Sequence, residues 1–130
     1  MLNFKNSTNG KKVIISLAIV VAVILVAFVA MLFTVEQRVV GTWQRELWYH
    51  TGYSCNTYTI YEFEADGDAT GYLTNANTGA ILEMEVGYWN VSGFEVSYRE
   101  RGVNGTVVLA FNPITGTMEN NDMVYEKISK

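Results

Sequence analysis

Glu46, His50 and Cys55 are the residues of this 130-residue chain whose types and spacing come nearest to a reactive centre. Zinc in proteins usually takes three or four converging Cys, His or carboxylate ligands, and one His followed by one Cys supplies too few. A thiolate–imidazole pair of Cys55 and His50 would need an orienting third group and a pocket, and the sequence identifies neither. We therefore expect no metal site, no cofactor and no enzymatic activity, with Cys55 a small buried side chain.

Two pairs of carboxylates also have the spacing of functional groups. Asp66 and Asp68 resemble the start of a calcium loop, but the further acids and the bidentate glutamate of such a loop do not follow, so we expect a hairpin turn. Glu83 and Glu85 alternate along one predicted strand, where carboxylates commonly mark the solvent side and discourage edge-to-edge association. We expect these two glutamates to face solvent.

An aromatic cluster is the strongest candidate for a binding surface. Its members are Trp48, Tyr49, Tyr53 and Tyr58. Aromatic rings bury much area at low entropic cost and concentrate at interfaces. Trp and Tyr are also favoured at the lipid headgroup layer. Three roles stay open for the cluster: a cap on the core, a contact surface for a protein or ligand, and a contact with the membrane surface.

The elements that must position these residues are β-strands. After residue 38, short segments rich in Tyr, Phe, Val, Thr and Trp are separated by glycine-bearing turns at intervals of roughly 8–12 residues, which is typical of an antiparallel sandwich or barrel. Asp66-Gly67 predicts a type I′ hairpin turn. We predict an all-β fold, a small antiparallel meander barrel of about eight short strands. The strands are expected near residues 39–49, 57–64, 69–75, 81–90, 94–101, 105–111, 114–119 and 122–128.

The hairpin predicted at Ser92-Gly93 contains a conflict of phase. A two-residue turn there pairs Gly87 with Tyr98 and leaves room over the glycine for the tyrosine ring. Apolar residues before Gly87 alternate in the opposite phase from Trp89; they are Leu82, Met84, Val86 and Tyr88. We therefore expect a β-bulge near Gly87 that lets the two halves of the strand point to opposite faces.

Four motifs resemble the small lipocalin-like (calycin-type) domains of exported and membrane-anchored prokaryotic proteins. They are Val40-Gly41-Thr42-Trp43, Tyr61-Glu-Phe63-Glu-Ala-Asp66-Gly67 with Gly71 after it, Gly87-Tyr-Trp89-Asn-Val91-Ser-Gly93, and Tyr125-Glu-Lys127-Ile128. The resemblance implies a barrel in which Gly41 and Trp43 close one end. It also implies that a basic side chain from the last strand, here Lys127, covers Trp43. Structural roles are likewise expected for Gly67, Gly87 and Trp89.

A long apolar segment precedes the β region. Residues 13–33 contain one polar side chain, Ser16. At ~1.5 Å per helical residue this segment spans roughly 30 Å, the thickness of a bilayer's hydrocarbon core. A cleaved signal peptide usually has a shorter apolar region that ends in an A-x-A-like site, and no two alanines here are two apart. We predict a single transmembrane helix that is retained.

The lysines predict the orientation of that helix. Lys5, Lys11 and Lys12 precede it, against two arginines just beyond it, and the positive-inside rule places the basic end in the cytoplasm. We expect a single-pass protein of the cell membrane with its C-terminal domain outside the cytoplasm. The predicted divisions are a cytoplasmic basic tail (1–12), a transmembrane helix (13–33), a linker (34–38) and an extracytoplasmic lipocalin-like β domain (39–130).

The region after the helix is acidic. It carries all 13 Asp and Glu residues against six Lys and Arg, a net charge of −7. Nucleic acid is bound through clustered Lys and Arg, so a surface of this sign excludes it as a partner. Cys55 is the only cysteine, so no intrachain disulfide can form. Asn90 and Asn104 begin sequons on the predicted outer side, usable where the host glycosylates proteins.

These observations predict a non-enzymatic, membrane-anchored accessory or binding protein whose outer domain contacts a protein partner or a small apolar ligand. Small residues in the helix, Ala18, Ala22 and Ala30, permit close helix packing and hence self-association or partner binding. The alternative is a pilin-like filament subunit, because such subunits also place a basic leader and a long apolar helix before a β domain. Pilin leaders carry a Lys/Arg-Gly processing site, whereas Gly10 here precedes its lysines.

Overall fold

The computed structural model describes residues 2–129, with side chains for residues 10–32 and 34–129. The chain forms two compact units, residues 1–33 and residues 34–130. In the described residues the elements are α1 (Leu2–Val39), β1 (Gly41–Arg45), β2 (Trp48–His50), β3 (Cys55–Phe63), β4 (Asp68–Asn75), β5 (Ile81–Ser92), β6 (Glu95–Glu100), β7 (Thr106–Asn112), β8 (Thr117–Asn120) and β9 (Met123–Ser129).

The first unit consists of the apolar part of α1. The segment Gly10–Leu32 has a mean hydropathy of 3.3 and is exposed along its length. It is long and apolar enough, by length and composition, to cross a bilayer. The predicted basic tail, residues 1–12, is helical from Leu2, but the side chains of its first nine residues lie outside the described ones.

The last residues of α1 belong to the second unit. Residues 34–38, expected to be a linker, continue the helix as far as Val39. Val35 and Val39 lie one helical turn apart, and both are fully buried in the core of the barrel. The expected linker is therefore a structural part of the β domain. The sequence obscured this because two valines four residues apart are too short a pattern to distinguish from the start of the next strand.

The second unit is a closed antiparallel barrel. Consecutive strands pair from β3 through β9, and β1 pairs with both β9 and β3 to close the ring. The first strand is interrupted at Glu46-Leu47, and its continuation β2 pairs with the opposite part of β3. The described residues thus form eight strands around the circumference. The predicted eight-stranded meander barrel after one apolar helix is confirmed.

The core changes in character along the barrel. Near the end of α1, Trp43 packs edge-on against Phe111 with their ring centroids 6.2 Å apart. Farther along, the ring of Tyr61 lies 5.1 Å from that of Tyr98 and 5.6 Å from that of Tyr125. The barrel is therefore closed by apolar contacts at the α1 end and becomes polar toward the other end.

The hairpin between β5 and β6 differs from the prediction in register. Its two-residue turn is Gly93-Phe94 and not Ser92-Gly93. Consequently Gly87 pairs with Glu100 instead of Tyr98. The predicted face of each residue is unaffected, because the partners shift by two positions, but the space over Gly87 is filled by backbone and not by the Tyr98 ring.

The bulge predicted near Gly87 is also wrong. The described pairing of β5 with β4 shifts at Leu82, several residues earlier. From Glu85 onward the strand keeps one phase, with Gly87 and Trp89 buried inside the barrel. The apolar residues of the other phase therefore point outward, and three of them are 43–60% exposed: Met84, Val86 and Tyr88.

The Asp66-Gly67 turn joins β3 to β4, but as a three-residue loop. The Glu64 amide donates to Asp68 O at 2.9 Å and the Gly67 amide donates to Glu64 O at 3.1 Å. Gly67 has a φ of +95°. This is the geometry of a type I turn followed by a glycine bulge rather than the predicted type I′ turn.

Candidate functional site

A cavity of about 490 Å³ opens at the end of the barrel away from Val39. Its size lies within the ~300–1,000 Å³ range of small-molecule sites. The rings of Trp48, His50 and Tyr61 line one side, and carboxylates from β5 and β6 line the other. The cavity is thus acidic and aromatic rather than purely apolar.

Gly71 creates the space for one of these carboxylates. It is buried on β4 and pairs directly with Glu85 on β5. A Cβ atom at Gly71 would lie 3.0 Å from both Cγ and Oε1 of Glu85. The glutamate side chain therefore folds inward across the position that a side chain at residue 71 would occupy.

Glu83 and Glu85 both line the cavity. The expectation that Glu83 faces solvent is confirmed, whereas the same expectation for Glu85 is wrong. Glu83 lies at the exposed rim, whereas Glu85 is half-buried. Burial raises the pKa of Glu85 above the ordinary glutamate value, and the neighbouring carboxylate of Glu100 raises it further. Glu85 lies two and four residues before the buried Gly87 and Trp89, so its side chain is on the same, inward face of β5. The expectation for Glu85 overlooked this alternation.

Tyr98 places an unsatisfied hydroxyl against this cavity. The residue is 1% exposed, and its hydroxyl has no hydrogen bond of normal geometry to the described residues. Burial raises the pKa of Tyr98, and the charge of Glu85, the hydrogen-bonding interaction with its carboxylate, Tyr61 and Glu100 act in the same direction. Because those three residues all line the cavity, the buried Tyr98 hydroxyl lies next to the cavity wall.

A hydrogen bond spans the rim of the cavity. The Tyr53 hydroxyl, in the loop between β2 and β3, donates to Glu83 Oε1 at 2.9 Å, and this bond raises the pKa of Tyr53. The Tyr53 amide also donates to His50 Nδ1 at 3.3 Å, with the two rings 4.9 Å apart. The bridge links β2, its loop and β5 across the opening.

Trp48 forms a fixed wall of the cavity. Its Nε1 donates to Thr59 Oγ1 at 3.0 Å, and its ring lies 5.0 Å from that of His50. The Arg45 guanidinium carbon lies 4.7 Å from the Trp48 ring centroid, a cation–π contact. These three contacts hold the indole in one orientation.

The four aromatic residues expected to form one contact cluster are divided by the structure. Trp48 lines the cavity and Tyr53 bridges its rim. Tyr49 alternates with the lining residues and is 57% exposed on the outside. Tyr58 also lies on the outer face, next to the buried Thr57. Only half of the predicted cluster therefore belongs to the site.

The residues first considered for catalysis are partly brought together. His50 and Cys55 pair directly across the β2–β3 hairpin, and the Cys55 thiol is free and half-buried. Glu46 is exposed in the interruption of the first strand. Asp66 Oδ1 accepts the Asp68 amide at 2.9 Å, as expected for a turn.

The residues assigned to the closed end of the barrel lie around the end of α1. Trp43 is buried and its Nε1 donates to Val39 O at 2.8 Å. Lys127 Nζ donates to Arg38 O at 2.8 Å and lies 5.9 Å from the Trp43 ring centroid. Gly41 joins α1 to β1 with a φ of +136°. Helix end, first strand and last strand are thereby joined.

The remaining sequence candidates lie outside the cavity. Trp89 is buried and its Nε1 donates to Glu64 O at 2.7 Å, which fixes the turn that contains Gly67. Asn90 and Asn104 are both exposed, the first on the outer face of β5 and the second in the loop after β6. Both sequons are sterically accessible.

Tyr98, Glu100 and Gly71 are the site residues that the sequence reasoning did not identify as such. Following the phase of Trp89 back through Gly87 to Glu85 would have placed that carboxylate inside the barrel. The position of Glu100 in the cavity can be predicted only from the correct register of the β5–β6 hairpin. Placing the turn one residue too early pairs Gly87 with the wrong residue of β6.

Substituting Glu85 with glutamine is expected to raise the unfolding temperature at neutral pH by at most a few degrees, because the open cavity screens the charge. Because the pKa of Glu85 is raised, the folded chain binds this proton more tightly than the unfolded chain. The stability of the wild type therefore falls as the pH rises from the ordinary glutamate pKa through the raised pKa of Glu85. Thermal melts should show the advantage of E85Q disappearing below about pH 4, where the carboxyl is protonated in both states. The exposed E95Q should show no such pH-dependent gain, and an equal gain for both variants would contradict the assignment.

The architecture defines a class: a closed eight-stranded antiparallel barrel with a cavity at one end, preceded by an apolar helix, is consistent with a lipocalin-like barrel. No protein-family model matches the chain, and comparison with curated proteins and with solved structures found no match.

Proposed function

We propose that this chain is a non-enzymatic, membrane-anchored binding protein and that the cavity at the open end of its barrel holds the ligand. The observation that carries the proposal is the inward position of Glu85 over Gly71. A carboxylate turned into a barrel beside Glu100 is unfavourable for the fold alone. Groups with such perturbed pKa values concentrate at functional sites, where an incoming ligand compensates for them.

Binding is favoured over catalysis by the groups around the cavity. Two of the residues that line it, Trp48 and Glu83, are held by hydrogen bonds to neighbouring side chains. His50 Nδ1 accepts the Tyr53 amide, so that nitrogen is not available to activate the Cys55 thiol opposite it. A fixed, partly desolvated set of acceptors is suited to recognising a ligand.

The apolar helix supports an integral location in the membrane. Its length and hydropathy suit one crossing, and the lysines before it favour an N-terminus in the cytoplasm. In this proposal the barrel lies outside the cytoplasm and binds its ligand there. The outward-facing side chains of Met84, Val86 and Tyr88 offer a protein partner an apolar contact on the barrel wall.

The test is native mass spectrometry of the full chain purified in mild detergent from its own membranes. We expect a small molecule retained at one per barrel, and its loss in G71A, where a Cβ displaces Glu85. Gly10→Ala is the matched control, since a Cβ there meets nothing within 4 Å. An empty barrel in the wild type, or retention that G71A does not change, would contradict a ligand in this cavity.

A pilin-like filament subunit is the second candidate, favoured by the exposure of the whole apolar helix. In filaments such helices bundle against one another. N-terminal sequencing of the mature protein separates the two proposals, since a filament subunit is expected to begin near Val13. An intact tail would rule the filament out.

A further inference from the structure

Resting on the proposed function, we infer that the ligand of this cavity is a short aliphatic diamine, or a polyamine with the same spacing, bound with one ammonium group at the floor beside Glu85 and Glu100 and another at the rim beside Glu83.

The lining of the cavity carries unbalanced negative charge. Three carboxylates face the cavity, Glu83, Glu85 and Glu100. Within residues 10–32 and 34–129, none of them forms an ion pair with a basic side chain. The arginines that flank Glu100 are engaged elsewhere: Arg99 Nε donates to Val103 O at 3.3 Å, and the Arg101 guanidinium lies over the Tyr88 ring. A ligand that brings positive charge would compensate for these carboxylates.

The buried hydroxyl of Tyr98 lies beside the cavity. Tyr98 Oη is shielded from solvent and makes no hydrogen bond of normal geometry to the described residues; besides burial itself, Glu85, the acceptor within reach of its O–H, raises the pKa of Tyr98 and leaves the hydroxyl's lone pairs without a donor. Leaving a buried polar group unpaired is unfavourable. An ammonium group carries several N–H donors, so one nitrogen can donate to Glu85, to Glu100 and to the Tyr98 oxygen together.

A bare metal ion fits this cavity less well than an organic cation. A metal needs several carboxylate oxygens close together, and within the described residues only Glu64, Asp66 and Asp68 have three such oxygens within 4.8 Å of one another. Those residues are exposed at the turn between β3 and β4, which lies at the other end of the barrel. The cavity itself, at about 490 Å³, is sized for an organic molecule.

The positions of Glu83 and Glu85 on β5 suggest the spacing of the ligand's two positive charges. Glu83 and Glu85 are two residues apart on β5, so their α-carbons are separated by roughly 6.6 Å. This is about the separation of the two nitrogens in a four-carbon diamine such as putrescine. Trp48, Tyr61 and Leu73 line the same cavity and suit the methylene chain, while the aromatic faces also attract the ammonium groups.

The experiment is isothermal titration of the full chain in detergent with putrescine and with n-butylamine, in phosphate buffer because Tris is itself an amine. We expect putrescine to bind at one per barrel and more tightly than butylamine. E85Q and E100Q should each weaken putrescine binding about tenfold or more, as for loss of a charge-assisted hydrogen bond. E95Q, on the same strand as Glu100 but at the other end of the barrel, should bind like the wild type.

E83Q provides a second, independent readout of the spacing. Without the rim carboxylate, putrescine should lose its advantage and bind about as tightly as butylamine. Equal binding of the two amines by the wild type, an affinity unchanged in E85Q, or displacement of putrescine by micromolar Mg²⁺ would each overturn the inference. If neither amine binds but native mass spectrometry still finds a different small molecule that G71A expels, the amine inference fails and the proposed function stands.

Discussion

A chain that begins at Gly41 is expected to be unfolded or barely stable at room temperature, whereas a chain that begins at Thr34 should form the complete barrel. The residues that differ between the two are the last turns of α1, which lie within the same compact unit as the strands. The longer chain lacks the apolar segment and should be soluble without detergent.

The expected difference follows from two buried side chains. Val35 and Val39 are both fully buried in the core, and burying one valine contributes about 1.5–3 kcal/mol, so the pair contributes roughly 3–6 kcal/mol. Domains of this kind have total stabilities of about 5–15 kcal/mol. The shorter chain also loses the carbonyls that accept hydrogen bonds from Trp43 Nε1 and Lys127 Nζ.

Circular dichroism and thermal melts of the two truncated chains provide the measurement. Within the longer chain, V39D should destabilise the barrel severely because it buries a carboxylate. Q37A, at an exposed position of the same turn, should melt within a degree or two of the parent. A Gly41 chain that melts as cooperatively and as high as the Thr34 chain would show that the helix end does not contribute to the core.

The barrel was predictable because its signals are local. Strand alternation and turn residues recur along the chain, and a meander pairs each strand with its neighbour in sequence, so no long-range partner had to be guessed. Closure by pairing of β1 with β9 and β3 follows from the strand number and twist. The apolar helix was predictable from composition alone.

The site was not predictable in the same way, because it depends on register and on a departure from the usual pattern. Apolar residues on β5 were expected inside and carboxylates outside, but Val86 and Tyr88 are exposed outside the cavity while Glu85 lines it. Register errors in a hairpin arise from one residue in a turn and displace every cross-strand pair. A site of this kind departs from the usual hydrophobic pattern of a strand. Such departures are typical of functional positions.

Alanine at Gly87 is expected to be far more destabilising than alanine at Gly71, although both glycines are buried strand residues. A Cβ at Gly87 would lie 2.1 Å from the Arg99 carbonyl oxygen and 2.9 Å from the Glu100 α-carbon, so the two paired strands would have to separate. Overpacking of this kind costs roughly 3 kcal/mol or more because the obstacle is backbone. For a domain of about 100 residues that corresponds to a fall in melting temperature of roughly 12–24 °C.

At Gly71 the obstacle is the flexible side chain of Glu85, which can move aside. G71A should therefore melt within a few degrees of the wild type and lose the ligand, whereas G87A should lose stability first. Thermal melts of both variants, combined with putrescine titration of G71A, separate a glycine required for strand packing from one required for the cavity. If G87A melts as high as G71A, the close approach of β5 and β6 is not a constraint on the fold. If G71A binds putrescine like the wild type, the inward position of Glu85 does not depend on the absence of a side chain at residue 71.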